Sequence, residues 1–326
     1  MSDQSERSGN LPLVVCLSGP TAAGKTAVAL ELVKRFPFEI ISVDSAMVYR
    51  HMNIGTAKPE PEVLARAPHK LVDILDPWET YSAGQFCEDA RREINGILAR
   101  GHIPLLVGGT FLYFSALEQG LADLPAADAD VRESIDRRAA DIGWPALHSE
   151  LAELDPPTAA RLKPADRQRI QRALEVIELT GVRLSDLHKA SPERAADYEF
   201  MRITLSPADR PKLHARIEQR FSQMLAAGFL EEVESLRKMS PMSAASPSMR
   251  SVGYRQIWAH LDGETDLDEA IRRAVVATRR LVKRQLTWMR SLPAAADFDC
   301  LQPDVADQVV MHVGQNIDGL NLSALT

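Results

Sequence analysis

The chain of 326 residues is 45% hydrophobic and 25% charged, and its formal net charge is −7. This length suits one large domain or a core domain with a second module. The longest apolar runs, 13–17 and 103–107, are far shorter than the roughly 20 residues of a membrane-spanning helix. The polar N-terminus lacks the pattern of a secretory signal, and three isolated cysteines fit neither a zinc site nor a disulfide framework. We therefore expect a cytoplasmic protein without a membrane segment.

The first third of the chain alternates short apolar, β-branched runs with helical patterns. This alternation is typical of a parallel sheet that is covered by helices. Strands are predicted at 13–17, 40–43 and 103–107, and helices at 25–36 and 82–100.

A glycine-rich stretch, SGPTAAGKT at 18–26, joins the first strand to the first helix and fits G-x-x-x-x-G-K-[ST]. Its glycines allow backbone N–H groups to close around phosphate oxygens at the start of the helix. Lys25 supplies a positive charge and the Thr26 hydroxyl can hold Mg²⁺. The stretch predicts a polyphosphate-binding loop formed by Gly19, Pro20, Thr21, Ala22, Ala23, Gly24, Lys25 and Thr26.

The position of acidic residues after the strands bears on the ligand of this loop. A P-loop NTPase normally has a carboxylate for Mg²⁺ at the end of a later strand, but the strand at 103–107 is followed by Gly108, Gly109 and Thr110. Asp44 follows the strand at 40–43. Because ligands bind at the carboxyl ends of parallel strands, the loop, Asp44 and Thr110 should face one crevice. Three roles stay open for Asp44 in this crevice: a Mg²⁺ ligand, a general base or a helix cap.

The composition changes between residues 122 and 198, where β-branched runs disappear. Helices are predicted there at 128–141, 144–154, 157–162 and 165–180, and a strand at 200–205 then returns to the sheet, followed by helices at 209–238 and 268–290. We predict an α/β fold with a P-loop NTPase-like parallel sheet core flanked by helices. Residues 1–121 and 199–326 form this core, and 122–198 form an all-helical insertion domain.

Two segments are rich in arginine. Seven Arg or Lys residues and no acid lie between residues 270 and 290, and the helix at 165–180 places Gln168, Arg169 and Arg172 away from its apolar face. A solvated surface would account for either segment. Two basic patches with amides and an aromatic residue beside them favour RNA.

Eight stretches of the chain form an ordered set between residues 12 and 290. They are GPTAAGKT (19–26), SVDSAMVY (42–49), NIGTAKP (53–59), PHKLVD (68–73), VGGTFLY (107–113), RIQRALE (169–175), RSVGYR (250–255) and KRQLTW (283–288). Together they resemble the tRNA dimethylallyltransferases, also called tRNA isopentenyltransferases. Only the first stretch is specific by itself, whereas the ordered set is highly specific.

The resemblance implies transfer of a dimethylallyl group from dimethylallyl diphosphate to N6 of the adenine 3′-adjacent to the anticodon of tRNA, with release of diphosphate. It also implies that the P-loop and Mg²⁺ hold the donor's diphosphate, and that Arg220 assists Lys25 on the leaving group. Asp44 would accept the proton of the adenine amine. Thr110 would orient the base or the donor.

The resemblance further implies contacts with the anticodon stem-loop, because the target base must leave its stack to react. The insertion would close over the RNA as a mobile lid. We expect tRNA and dimethylallyl diphosphate as partners of a monomer. The implied tRNA-contacting residues are Asp44, Ser45, Ala46, Met47, Thr110, Arg132, Gln168, Arg169, Ile170, Gln171, Arg172, Arg250, Ser251, Val252, Gly253, Tyr254, Arg255, Lys283, Arg284, Gln285, Leu286, Thr287, Trp288, Met289 and Arg290.

Three other hypotheses stay open at the level of sequence. A small-molecule or nucleoside kinase would place ATP in the P-loop and use Asp44 on an acceptor hydroxyl. A prenyltransferase for free adenine nucleotides would share the donor chemistry without needing the basic segments. A non-catalytic RNA-binding module would keep the P-loop only as scaffold.

Overall fold

The computed structural model describes residues 11–122, 124–190, 197–292 and 295–317. The N-terminal stretch in which no secretory signal is predicted lies largely outside these residues. The described strands are β1 (Leu13–Ser18), β2 (Phe38–Val43), β3 (His69–Lys70), β4 (Ile103–Gly108), β5 (Glu199–Ser206) and β6 (Ala296–Asp299). The helices are α1 (Lys25–Arg35), α2 (Pro61–Arg66), α3 (Ala83–Ala99), α4 (Phe111–Gln119), α5 (Ala129–Ile142), α6 (Trp144–Leu154), α7 (Pro156–Ala159), α8 (Arg167–Thr180), α9 (Leu184–Ala190), α10 (Arg210–Ala226), α11 (Phe229–Arg237), α12 (Tyr254–Leu261), α13 (Leu267–Met289) and α14 (Val305–Ile317).

The strands form one parallel sheet in the order β3-β2-β4-β1-β5-β6. The predicted fold class, a P-loop NTPase-like sheet flanked by helices, is confirmed. Parallel sheets are covered on both faces, and their strands are therefore apolar on both sides. β1 illustrates this, because its residues from Val14 to Ser18 are all buried.

The alternation of side chains along β1 assigns the covering helices to the two faces of the sheet. Val15 and Leu17 belong to a core with residues of α1 and α14, such as Leu32 and Val313. Val14 and Cys16 belong to a second core, with residues of α3 and α4 such as Phe86 and Phe114. The sheet is thus held between two apolar layers, and its strand ends have a fixed position.

The chain divides into two compact units. The first consists of Met1–Glu118 and Ala196–Thr326, and the second of Gln119–Ala195. The second unit contains α5 to α9 and has its own buried core, which includes Ile135, Leu151 and Leu174. Each unit therefore has the apolar interior that a separately folding module needs.

The sequence-based prediction of one long helix is wrong. The expected helix at 209–238 is divided into α10 and α11 by Gly228, whose φ of 97° lies in the left-handed region that favours glycine. The break turns α11 so that Phe229 and Val233 lie in a core with Tyr254 of α12.

No helix in the described part of the chain is long and apolar enough to cross a membrane.

Candidate active site

Three strands end side by side and place the candidate residues together. In the sheet register Gly108 pairs with Ser18 on β1 and with Val43 on β2. The P-loop, Asp44 and Thr110 follow directly after these three positions. The N–H of Thr110 donates to the carbonyl of Val43 at 3.2 Å, which holds the two segments against each other.

The P-loop has the backbone shape of an anion cradle. Gly24 has a φ of 79° and precedes α1, whose first turn has no side-chain cap. The first N–H groups of a helix have no partner within the helix, so an uncapped start attracts anions. Gly19 is packed so closely that a Cβ there would lie 2.8 Å from the carbonyl oxygen of Leu205. The loop therefore depends on glycine for conformation at one end and for space at the other.

Lys25 extends over the loop, where its Nζ donates to the carbonyls of Gly19 at 3.0 Å and Pro20 at 2.8 Å. Burial lowers the pKa of Lys25 to about 8, while the nearby charge of Asp44 opposes this shift and that of Arg220 adds to it. The ammonium is thus close to its titration point in the free protein.

Arg220 reaches the loop from α10. Its Nη1 donates to the hydroxyl of Thr21 at 3.2 Å. Burial lowers the pKa of Arg220, and the charge of Asp44 counteracts part of that shift. Since an arginine stays protonated at any physiological pH, two cations and one carboxylate share this part of the sheet edge.

One carboxylate oxygen of Asp44 accepts hydrogen bonds, and the other, here called the open oxygen, accepts none from the described residues. Its Oδ1 accepts from the N–H of Ala46 at 2.8 Å and of Met47 at 3.3 Å, and its Oδ2 receives no hydrogen bond from the described residues. These bonds close a turn over 45–48, so the expectation that Asp44 could cap a helix is wrong. The hydroxyl oxygen of Thr110 accepts from the N–H of Ser45 at 3.1 Å, which fixes the position of the turn.

Gln285 of α13 also belongs to the cradle, although the sequence predicts it as a tRNA contact. The residue is only 8% exposed. Its Oε1 accepts from the N–H of Thr21 at 3.0 Å, and its Nε2 donates to the carbonyl of Gly109 at 2.9 Å. In this structure the carboxamide points into the protein, and the RNA contact of Gln285 stays a prediction.

Three further residues with predicted RNA contacts are buried in this structure, and these contacts stay predictions. Ile170 is 0% exposed and packs in the core of the second unit. Tyr254 is 0% exposed, and its hydroxyl donates to Glu232 at 2.6 Å. Gly253 is buried beneath the ring of Phe229. None of the three presents a surface to a macromolecule.

The basic stretch of α13 divides into a neutralised half and an open half. Arg272 and Arg273 pair with Glu269, and Arg279 pairs with Glu218 on α10. Within the described residues no acidic group lies within salt-bridge distance of the cations in the second half of the helix. These cations, all exposed, are Arg280, Lys283, Arg284 and Arg290.

The arginines of the second unit are mostly occupied by internal pairs. Arg132 and Arg172 both donate to Glu175, at 2.9 Å and 2.7 Å, and the Glu175 side chain is 0% exposed. Burial alone would raise the pKa of Glu175, but hydrogen bonds from the two arginines and from the N–H of Asp128 lower it. Arg169 pairs with Asp166 at 3.2 Å. These arginines therefore stabilise the unit, whatever else they contact.

The oxygen atoms beside the cradle suit a hard cation. The hydroxyl of Thr26 and the open oxygen of Asp44 are ligands of the kind that Mg²⁺ prefers. No cluster of three or more His, Cys, Asp or Glu residues that could hold a metal occurs in the described ranges. Mg²⁺ commonly needs only one or two protein oxygens when substrate phosphates supply the others. The residues thus fit a metal that is bound together with a phosphate ligand.

The sheet order, the uncapped helix start and the two cations define a P-loop protein of the α/β class, with a cradle that suits a polyphosphate. A carboxylate with an open oxygen lies beside this cradle, where it can serve as a general base in group transfer. Residues 47–292 match the family model described as IPP transferase. The chain belongs to this family.

Relatives match almost the whole chain. A tRNA dimethylallyltransferase of Thiobacillus denitrificans is 56% identical over 308 residues, which cover 93% of this chain and 98% of the relative. One of Cupriavidus necator is 56% identical over 314 residues, covering 95% and 98%. The crystal structure of a tRNA isopentenylpyrophosphate transferase from Bacillus halodurans is 36% identical, with a TM-score of 0.67 and coverage of 97% of this chain and 98% of that one.

Proposed function

We propose that this chain transfers a dimethylallyl group from dimethylallyl diphosphate to N6 of the adenine 3′-adjacent to the anticodon of tRNA. The observation that carries the proposal is the pairing of an uncapped, doubly cationic phosphate cradle with a carboxylate that has one open oxygen. The names of the relatives support the choice of donor and acceptor.

The cradle would act on the donor. In the reaction the bond between the allylic carbon and the diphosphate oxygen breaks, and negative charge grows on the departing diphosphate. Lys25, Arg220 and the N–H groups at the start of α1 supply fixed positive charge at that point. Preorganised charge of this kind lowers the barrier because nothing has to reorient during the reaction.

Asp44 would act on the acceptor. The lone pair of an adenine amine is delocalised into the ring, so N6 becomes a useful nucleophile only as it loses a proton. The new bond joins N6 to the allylic carbon, and the displaced proton passes to the open Oδ2 of Asp44. Thr110 would orient one reactant, since its hydroxyl already fixes the turn that follows Asp44.

Mg²⁺ would be held by Thr26 and the diphosphate, with Asp44 within the same group of charges. When bound, it neutralises part of the charge on the leaving oxygens. The family's use of a diphosphate substrate supports this choice of metal, as do the oxygen ligands of the site.

Contacts with the anticodon stem-loop are proposed for exposed or half-buried residues of three segments. These are the turn Ser45, Ala46 and Met47, the helix face with Gln168 and Arg169, and the open half of α13 with Lys283, Arg284, Thr287, Trp288 and Arg290. Arginine and lysine side chains bind the phosphates, and an exposed aromatic ring can stack on an unpaired base. Trp288 is 40% exposed and suits the second role.

We also propose that the chain acts as a monomer in the cytoplasm. The three cysteines are buried and no disulfide joins them, which suits a reducing compartment. Light scattering should give a mass near 36.0 kDa, and a mass of twice that value would contradict the monomer.

The other hypotheses have less support. A kinase is disfavoured because the relatives over the whole chain are named as dimethylallyltransferases. Free adenine nucleotides as acceptors would leave the open cations of α13 without a ligand.

One assay separates these alternatives. The protein is incubated with labelled dimethylallyl diphosphate or labelled ATP, and with unmodified tRNA, free AMP, or a tRNA that has guanine 3′ of the anticodon. We expect label to pass only from the prenyl donor, and only to the tRNA with adenine at that position. Transfer from ATP, transfer to AMP, or equal labelling of the guanine tRNA would contradict the proposal.

A further inference from the structure

Thr21, in the middle of the P-loop, is held from two sides. Arg220 of α10 binds its hydroxyl at 3.2 Å, and Gln285 of α13 accepts from its N–H at 3.0 Å. The N–H of Thr21 is therefore occupied by a side chain. The N–H groups that follow, at the uncapped start of α1, are the ones left for a phosphate.

The other end of the same carboxamide is held by the segment after β4. The Nε2 of Gln285 donates to the carbonyl of Gly109 at 2.9 Å. A Cβ at position 109 would lie 2.6 Å from this nitrogen, so glycine leaves the space that the amide occupies. One planar group thus bridges the two walls of the phosphate site.

Burial of the polar Gln285 side chain is by itself energetically unfavourable. Its neighbours on the inner face of α13, such as Val282 and Ala274, are apolar, and a buried carboxamide costs free energy unless both of its ends are satisfied. Both ends are satisfied here by backbone atoms of the site. The same helix carries the open cations Lys283 and Arg284 on its outer face.

We propose that Gln285 is a positioning residue that sets the separation between the P-loop and the segment after β4, and so shapes the site for diphosphate. The inference rests on the proposed function for the identity of the diphosphate ligand. Gln285 touches no reacting atom in this scheme. It acts through Thr21 and Gly109, and it ties the phosphate site to the helix on which RNA binding is proposed.

The test compares two buried glutamines. Gln256 of α12 is also 8% exposed, and its Oε1 accepts from the N–H of Gly253 at 2.9 Å. Gln285→Met and Gln256→Met each keep the volume and remove one buried amide. Binding of inorganic diphosphate in the presence of Mg²⁺ is measured by calorimetry for both variants and for the unchanged protein, together with the melting temperature.

We expect Gln285→Met to weaken diphosphate binding roughly tenfold, the ratio that corresponds to the loss of one or two ordinary hydrogen bonds. Gln256→Met should lower the melting temperature but change diphosphate affinity by less than about twofold. In the transfer assay, Gln285→Met should raise KM for dimethylallyl diphosphate and leave KM for tRNA unchanged. A purely structural role would affect both substrates or neither.

Gln285→Asn is the second variant, for the case that Gln285→Met does not fold. It keeps the amide, but a side chain that is shorter by one methylene cannot reach both backbone partners. Diphosphate affinity within twofold of the unchanged protein, in a folded variant, would overturn the inference. Failure of the proposed function would give a different result: the protein without substitutions would bind diphosphate but transfer no dimethylallyl group.

Discussion

At the scale of single residues, the proposed chemistry of the site depends on the side chains of Asp44 and Lys25. One carboxylate oxygen of Asp44 is fixed by two N–H groups and the other receives no bond from the described residues. Lys25 is held by two carbonyls, and burial has brought its pKa to about 8. The first arrangement orients a base, and the second makes a cation sensitive to mildly alkaline pH.

Asp44→Asn tests the role of the base. The amide oxygen can still accept from Ala46 and Met47, so the turn should keep its shape, but the side chain can no longer take up a proton. We expect kcat to fall by roughly 10² or more, the usual contribution of a general base. Binding of tRNA, measured by filter retention, should stay unchanged. If kcat were unchanged, Asp44 would have no part in proton transfer.

Lys25 predicts a pH dependence of donor binding. Its pKa in the free protein is lowered to about 8 by burial, so the ammonium is charged below that pH and becomes neutral above it. Affinity for dimethylallyl diphosphate should therefore be highest below pH 8 and fall as the pH rises through that value. Lys25→Arg is the control, because a guanidinium does not titrate in this range. A fall of equal size in the arginine variant would show that Lys25 is not the cause.

At the scale of elements, helix α13 connects the phosphate cradle with the surface on which RNA binding is proposed. Its inner face carries Gln285 to the phosphate cradle, and its outer face carries cations. Three of the seven cations between residues 270 and 290 are paired with Glu269 or Glu218. The net charge of the stretch as read from the sequence therefore overstates its attraction for a polyanion, and the open half is the relevant part.

Arg284→Ala and Arg272→Ala separate the two halves. Arg284 has no acidic partner among the described residues, whereas Arg272 donates to Glu269. Loss of one phosphate contact should weaken tRNA binding and reduce the slope of log K against log salt concentration by about 1. We expect this for Arg284→Ala and little change for Arg272→Ala, with donor affinity unaltered in both. Equal slopes for the two variants would remove the open half from the RNA surface.

The sequence predicts elements well where burial leaves a clear pattern. β1, β2 and β4 are largely buried, as central parallel strands are, and their apolar runs predict them. β5 is also predicted, although only Ile203 and Leu205 of it are buried. β3 has only two residues and β6 reads Ala-Asp-Phe-Asp, so neither has such a pattern. Their place in the sheet depends on neighbouring strands that no local window contains.

The site residues divide in the same way. The P-loop and the residues after the strands follow from local motifs. The contacts of Gln285 with Thr21 and Gly109 follow from no local motif, although its place on the apolar face of α13 is a signal that it points inward. The pair of Arg279 with Glu218 joins two helices that are far apart in the chain, and no spacing rule contains it.

The molecule as a whole consists of two units with separate cores. The second unit depends on a buried carboxylate, because Glu175 holds Arg132, Arg172 and the N–H of Asp128. The phosphate cradle is built entirely from residues of the first unit. Damage to the second unit should therefore leave diphosphate binding intact.

Glu175→Ala tests this separation. Removing Glu175 takes away the hydrogen-bond partner of Arg132, Arg172 and the N–H of Asp128. Because both arginines are partly exposed, the cost is about 1–3 kcal/mol. Helices α5 to α9 should lose protection in hydrogen exchange and tRNA affinity should fall, while diphosphate affinity stays unchanged. Glu133→Ala is the control on the same unit, since Glu133 and its partner Arg137 are both exposed and such pairs contribute little. A loss of diphosphate binding in Glu175→Ala would show that the two units are coupled.

The strand order also has a consequence for the growing chain. β1 lies between β4 and β5, and the whole insertion is synthesised between those two strands. Until β5 leaves the ribosome, the buried strand Leu13–Ser18 has one unpaired edge, and such an edge is a template for association with other chains. Premature termination within the insertion should therefore yield an aggregating product, whereas a chain that extends past Ser206 can close the sheet around β1.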